Sequence, residues 1–245
     1  MVDLHICADA QDLATRFAAA LAETIATAVA RTGRCALALS GGNTPRRVHQ
    51  RLAAAYRREV RWDAVDVFWG DERYVPADDP RSNYRMARET LLEPVACPAA
   101  NVHPMPTDLA SPDDAAREYE RTLRRFFDAE WPRFDVLLLG VGADGHMASL
   151  FPDSPALKER SRWVVAATAP AEPQVRLTLT PPAIDAAKRL CVLVAGPDKA
   201  EALRHVLDET ADPNAYPAAG LRAAGERVSW WVDRAAASAL PARPT

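Results

Sequence analysis

Apolar residues along this chain fall into two alternating patterns. Apolar runs at 35–39 and 190–195, and a nearly all-apolar one at 135–139 that begins on Asp135, read as parallel strands covered on both faces, because strands with one wet face alternate and these do not. Leu13, Phe17, Leu21, Ile25 and Val29 recur every four residues and mark one helix stripe, which stops at Gly33. Further strands are expected at 4–8, 65–69, 163–167, 175–180 and 228–232. Further helices are expected at 45–58, with Val48, Leu52 and Ala55 inward, at 84–92, and behind Ser111 with Ala115, Tyr119, Leu123 and Phe127 inward. A short helix from Pro181, one from 196 to 207, and a last turn or two at 235–240 complete the series. Residues 70–83 read as a loop, and the proline-rich 96–112 as an irregular surface connection.

This alternation predicts an α/β fold of three layers, doubly wound, with a mostly parallel sheet and helices on both faces. Nothing resembling a linker or a repeat divides the chain, so residues 1–245 are expected to form a single domain, with 241–245 a flexible tail. Apolar content of 49% and charged content of 26% are those of an ordinary soluble globular protein. A formal net charge of -3 argues against a nucleic-acid partner. Cys7, Cys35, Cys97 and Cys191 are scattered without a C-x-x-C pair, which gives a metal no local nucleus and fits reduced, buried thiols. No basic-then-apolar leader and no apolar run of about 18 residues is present, so a cytoplasmic protein with no membrane partner is expected, as a monomer or small homo-oligomer.

Chemistry concentrates at strand ends. The run FDVLLLGVGADGHMASLFP, residues 134–152, carries an apolar strand into glycines and then delivers Asp144, His146 and Ser149. Gly140, Gly142 and Gly145 match the dinucleotide fingerprint, but Pro152 stops any long helix and the next strand ends without a carboxylate, so nicotinamide binding is disfavoured. A histidine between Gly145 and Met147 has little to pack on and suits a reactive site better than a core. A second strand runs into Ser40, Gly41, Gly42, Asn43 and Thr44 before Pro45 opens a helix, an arrangement that offers free amides and a positive dipole end to a phosphate. Asp71, Glu72 and Arg73 follow the third strand and lead to Ser82 and Asn83; Arg73 brings a directional, permanent cation. Lys199 stands in a first helical turn, where it opposes the helix dipole unless an anion is bound, and Arg176 opens the RLTLT strand.

In order, SGGNTP, WGDERYVPADDPRSNYR, LLLGVGADGHMASLFP, RLTLT and GPDKAEAL resemble the 6-phosphogluconolactonase family, which shares a superfamily with glucosamine-6-phosphate deaminases. The resemblance implies hydrolysis of 6-phospho-D-glucono-1,5-lactone in the pentose phosphate pathway, with a sugar-phosphate lactone as small-molecule partner and neither cofactor nor metal. It also implies His146 as the base that activates water, Asp144 as its orienter and Arg73 as the oxyanion's cation. The SGGNTP amides, with Ser40, Thr44, Arg176 and Lys199, would take the phosphate. Asp71, Ser82, Asn83 and Ser149 would hold hydroxyls. Deaminases carry a glutamate at the position aligned with Phe151, which disfavours that runner-up, in which Asp71 would be the base. A non-catalytic sugar-phosphate sensor is the other alternative, and no basic helix-turn-helix extension supports it.

Overall fold

The computed structural model describes residues 2–241; of the tail expected at 241–245, all but Pro241 lies outside the described residues. Strands are numbered in chain order. Six of them, β1 (Asp3–Cys7), β2 (Cys35–Leu39), β3 (Val65–Trp69), β5 (Val136–Gly140), β8 (Leu190–Val194) and β9 (Val228–Asp233), make one wholly parallel sheet in the order β1-β9-β8-β5-β2-β3. Every residue of β2 and β8 is buried, as their unbroken apolar runs predict. Truncating a residue such as Leu37 or Leu39 to alanine there costs about 2–5 kcal/mol.

The order of strands also fixes where a ligand can sit. From β1 through α1 (Ala10–Thr32) to β2, and through α2 (Asn43–Ala55) to β3, the chain steps toward one edge of the sheet; from β5 to β8 and through α6 (Ala200–Leu207) to β9 it steps back. Right-handed crossovers therefore place helices on both faces, with α1 and α2 packed together on one of them. The direction reverses between β2 and β5, which are neighbours in the sheet. Loops leaving their carboxyl ends diverge and leave a crevice.

A second sheet stands beside that crevice. β4 (Asp71–Arg73) pairs antiparallel with β7 (Val175–Leu179), which pairs antiparallel with β6 (Val164–Thr168). The sequence reading of 70–83 as continuous loop fails at 71–73, because the partner strand that makes those residues extended comes from about a hundred positions later. Gly70 joins the two sheets: its N–H donates to Leu39 O and its carbonyl accepts from Leu179 N, both at 2.9 Å. Behind this junction, on α4 (Pro112–Phe127), the Tyr119 hydroxyl accepts from Trp69 N at 2.9 Å and donates to Trp69 O at 3.1 Å. Glu120 on the same helix accepts from Trp163 N and Arg162, fastening β6 to α4.

α1 begins where Asp9 accepts from the Gln11 and Asp12 amides and ends on Gly33, whose φ of 80° suits a left-handed cap. By length and hydropathy α1 could cross a membrane, yet its stripe of Leu13, Phe17, Leu21 and Ile25 is buried in the core. α2 starts two residues before the expected Pro45, which is tolerated in a first turn because that turn needs no N–H partner there. The expected helix at 84–92 divides into α3 (Asn83–Ala87) and a wide turn at Arg88–Leu92. The tight helical turns of Pro217–Arg227 escape sequence reading, being rich in alanine and glycine with little apolar period. One hydrophobic core runs through both sheets, and α5 (Pro181–Asp185) contributes Ala183 and Ile184 to it.

Candidate active site

A cavity of about 400 Å³ opens at the reversal between β2 and β5. Its walls include Ser40, Gly41, Gly42, Asn43 and Thr44 from the β2 end, Asp71 and Arg73 from β4, Asn83 from α3, Gly142 and His146 from the β5 end, and Lys199 before α6. A larger cavity, about 1000 Å³, lies at the opposite end of the sheet beside Arg31, Arg34 and Asp135. It contains none of the candidate site residues read from the sequence, and it opens at the amino ends of the strands rather than the carboxyl ends where α/β sheets bind ligands. The smaller one is the candidate.

At the β2 end, Gly42 takes a φ of 101° and precedes α2 with no side-chain cap, so the first amides of that helix are left for a ligand. Among the described residues the Ser40 hydroxyl is buried without a protein partner, and Ser40 lines the same cavity. Lys199 follows Gly196, which has a φ of 103°, and its ammonium lies 3.1 Å from Asp198 Oδ2. Cationic and amide donors thus face one another across the cavity.

At the β5 end the loop folds on its glycines. Gly142 N donates to His146 O at 2.9 Å and Gly145 N to Gly142 O at 3.0 Å. A Cβ on Gly142 would lie 2.0 Å from His146 Nδ1, so no other residue leaves room for the ring. His146 Nδ1 lies 2.5 Å from Asp144 Oδ1, and its ring packs against Phe151 with centroids 4.6 Å apart. Burial alone pushes the Asp144 carboxyl up, but the bond to His146 outweighs it and holds the carboxyl below its ordinary value. Among the described residues Nε2 has no hydrogen-bond partner in the protein.

Ser82, Ser149 and Arg176 sit behind the wall rather than in it, unlike the expectation for ligand contacts. Ser82 Oγ caps α3 by accepting from Arg85 N and donates to Glu72. Ser149 Oγ donates to Asp71 Oδ2 at 2.7 Å, so it steadies a carboxylate. Arg176 is buried directly across the strand pair from Arg73, and burial first, then the Arg73 charge, lowers its affinity for its proton. Its Nε has no partner among the described residues. Sequence alone does not separate a hydroxyl that meets a ligand from one that holds a neighbour, because both occur in the same polar strand ends. Neither Glu72, legible only as part of the strand-end run with Asp71 and Arg73, nor Phe151 is among the expected site residues, although Glu72 holds the Asn83 turn and Phe151 backs the histidine. Tyr216, packed on Gly145, gives no sequence signal beyond one aromatic in a loop.

Residues 8–230 match the family described as glucosamine-6-phosphate isomerases/6-phosphogluconolactonase. The chain is 45% identical over 219 residues to a 6-phosphogluconolactonase of Synechocystis sp., covering 88% of this chain and 89% of that protein. It is 40% identical over 249 residues to a 6-phosphogluconolactonase of Mycobacterium tuberculosis, covering 97% and 98%. Among solved structures, the 6-phosphogluconolactonase of Trypanosoma brucei superposes with a TM-score of 0.87 at 33% identity, covering 98% of this chain and 99% of that one.

Proposed function

The chain belongs to the family of glucosamine-6-phosphate isomerases and 6-phosphogluconolactonases, and on that premise we infer that it hydrolyses 6-phospho-D-glucono-1,5-lactone to 6-phospho-D-gluconate in the oxidative pentose phosphate pathway. The observation that carries the assignment of roles is the Asp144–His146 pair at the rim of the cavity, opposite the uncapped start of α2.

With its Nε2 lone pair free, His146 takes a proton from water as the oxygen attacks the lactone carbonyl. Arg73 faces the oxygen on which negative charge develops. As the tetrahedral adduct collapses, the ring ester bond breaks and the imidazolium returns its proton to the departing sugar hydroxyl. The product acid then loses its own proton to solvent, which balances the reaction. Base-assisted attack of water on an activated ester calls for neither metal nor cofactor. The phosphate, remote from the bond that breaks, is held by the α2 amides with Ser40, Thr44 and Lys199, and its binding orients the carbonyl. Asp71 and Asn83 take sugar hydroxyls, with Ser149 and Ser82 behind them, and Arg176, buried across the strand pair from Arg73, adds a second positive charge that an anionic substrate relieves.

The deaminase alternative is not favoured, and Phe151 stands where the deaminases carry a glutamate. One core through both sheets supports a single domain. The protein acts in the cytoplasm, where its four free cysteines stay reduced. Acid release from freshly generated 6-phosphogluconolactone, corrected for spontaneous hydrolysis, tests the reading. No acceleration by the folded protein overturns it.

A further inference from the structure

Glu72 does not line the cavity, yet its carboxylate is fully committed beside it. Oε1 accepts from Arg73 N at 2.8 Å and Asn83 N at 2.7 Å; Oε2 accepts from Tyr84 N at 2.7 Å and Ser82 Oγ at 3.2 Å. The residue is 2% exposed. Its donors belong to two segments, β4 and the first turn of α3, which no backbone ladder joins. The consequence reaches the cavity through Asn83. Asn83 Nδ2 donates to Asp71 O at 3.0 Å, and its Oδ1 occupies the space where a Cβ on Gly41 would lie, 1.8 Å away. Glu72 thus holds the turn that wedges Asn83 between Asp71 and the glycines of the β2 loop.

We propose that Glu72 is the positioning residue of this site: by clamping the first turn of α3 onto β4 it sets Asn83 against Gly41, and so decides how tightly the sugar phosphate is held rather than how fast the ester is cleaved. This rests on the reading of the cavity as a phospholactone site. An apolar residue at 72 would take the partner from three backbone N–H groups, the buried one of Asn83 and the half-buried ones of Arg73 and Tyr84. Glutamine is the informative change. Its carbonyl can satisfy the Arg73 and Asn83 amides and its NH₂ can turn to Ser82 Oγ, but the Tyr84 amide then faces a donor.

The clamp also carries a signature in pH. Burial pushes the Glu72 carboxyl up to about 7, outweighing the three backbone donors that favour the anion, and the charge of Asp71 adds to the rise. The groups around it are Asp71 and Arg73 on its own strand, Arg176 on β7, Tyr84 on α3, Tyr119 on α4, and Asp108 across a small neighbouring cavity. A protonated carboxyl gives up an acceptor and releases part of the turn.

The test is steady-state hydrolysis of 6-phosphogluconolactone by the wild-type protein, Glu72→Gln, Asn83→Ala and the double variant. Wild-type turnover reports on the assigned reaction; the variants report on the clamp. Glu72→Gln should raise KM about threefold to tenfold, the worth of one lost hydrogen bond, with kcat changed by less than about twofold. In the Asn83→Ala background the same change should add less than about twofold, because residues that act through one another are not additive. Between about pH 8 and pH 6 the wild-type KM should rise more than that of Asn83→Ala, a comparison that needs no Glu72 variant. Additive effects on KM, a loss in kcat at unchanged KM, or parallel pH profiles overturn the proposal.

Discussion

Asp144 Oδ1 lies 2.5 Å from Nδ1 of His146, only two residues along the chain. An ionised carboxylate can only accept, so Nδ1 carries the proton and the lone pair is left on Nε2. The same oxygen accepts from His146 N at 3.2 Å, so one carboxylate fixes both the backbone turn and the tautomer of the ring.

Replacing His146 by alanine should lower turnover by about 10²–10⁴-fold, the usual worth of a positioned base. Asp144→Asn should cost at least about tenfold, because an amide can donate to Nδ1 and so stabilise the wrong tautomer. Both proteins should keep the wild-type circular dichroism spectrum. Near-normal turnover by a folded His146→Ala protein removes His146 from the mechanism.

Gly142→Ala tests the packing beneath the histidine. The added methyl would sit 2.0 Å from His146 Nδ1 and 2.5 Å from Asp144 Oδ1, so the pair must separate. Turnover should fall by about 10²-fold or more, as misplacement by about 1 Å does, while Tm shifts by only a few degrees. Unchanged kcat shows that the pair does not have to hold this geometry.

Arg73→Lys keeps a charge but loses a planar fork, and it should reduce kcat/KM by about 10-fold to 100-fold. A loss confined to kcat places Arg73 on the developing oxyanion. If 6-phosphogluconate binding weakens while kcat holds, Arg73 belongs to the phosphate or hydroxyls instead.

Lys199→Ala should weaken 6-phosphogluconate binding by about 10-fold to 100-fold, the worth of a charge-assisted contact, and should scarcely alter binding of gluconate. Thr44→Ala should do the same to a smaller degree, since the α2 amides remain. Titration calorimetry with both ligands makes the comparison. Equal weakening for gluconate and its phosphate places the phosphate elsewhere.

Glu72 should also leave a mark on stability. Burial raises its folded value above the ordinary 4.5 to about 7, so across that window the native protein holds a proton that the unfolded chain has released. Stability from this group is therefore full below about pH 4.5, declines as pH rises and is gone above about 7. Glutamine does not titrate, so the wild type's stability relative to Glu72→Gln should fall between about pH 5 and pH 7.5, read from urea denaturation. A difference independent of pH means that Glu72 ionises normally when folded.

What sequence determines here is whatever depends on neighbours within a few residues. The unbroken apolar runs of β2, β5 and β8, the four-residue stripe of α1 with its stop at Gly33, and the Ser111 cap of α4 are local patterns, and they specified a parallel α/β fold. The glycine-bounded His146 and the SGGNTP turn are equally local, since tight turns and uncapped amides follow from residue type and backbone φ. Tertiary structure decided everything that needs a distant partner. Asp71–Arg73 become a strand only because residues 176–178 lie alongside, and that pairing carries Arg73 to the cavity while burying Arg176 behind it. Ser149 turns to Asp71, 78 positions earlier, and Glu72 reaches the turn at 82–84, contacts that no periodicity encodes. The cavity itself exists because strand order reverses between β2 and β5, a relation between segments about a hundred residues apart that only the packed sheet sets.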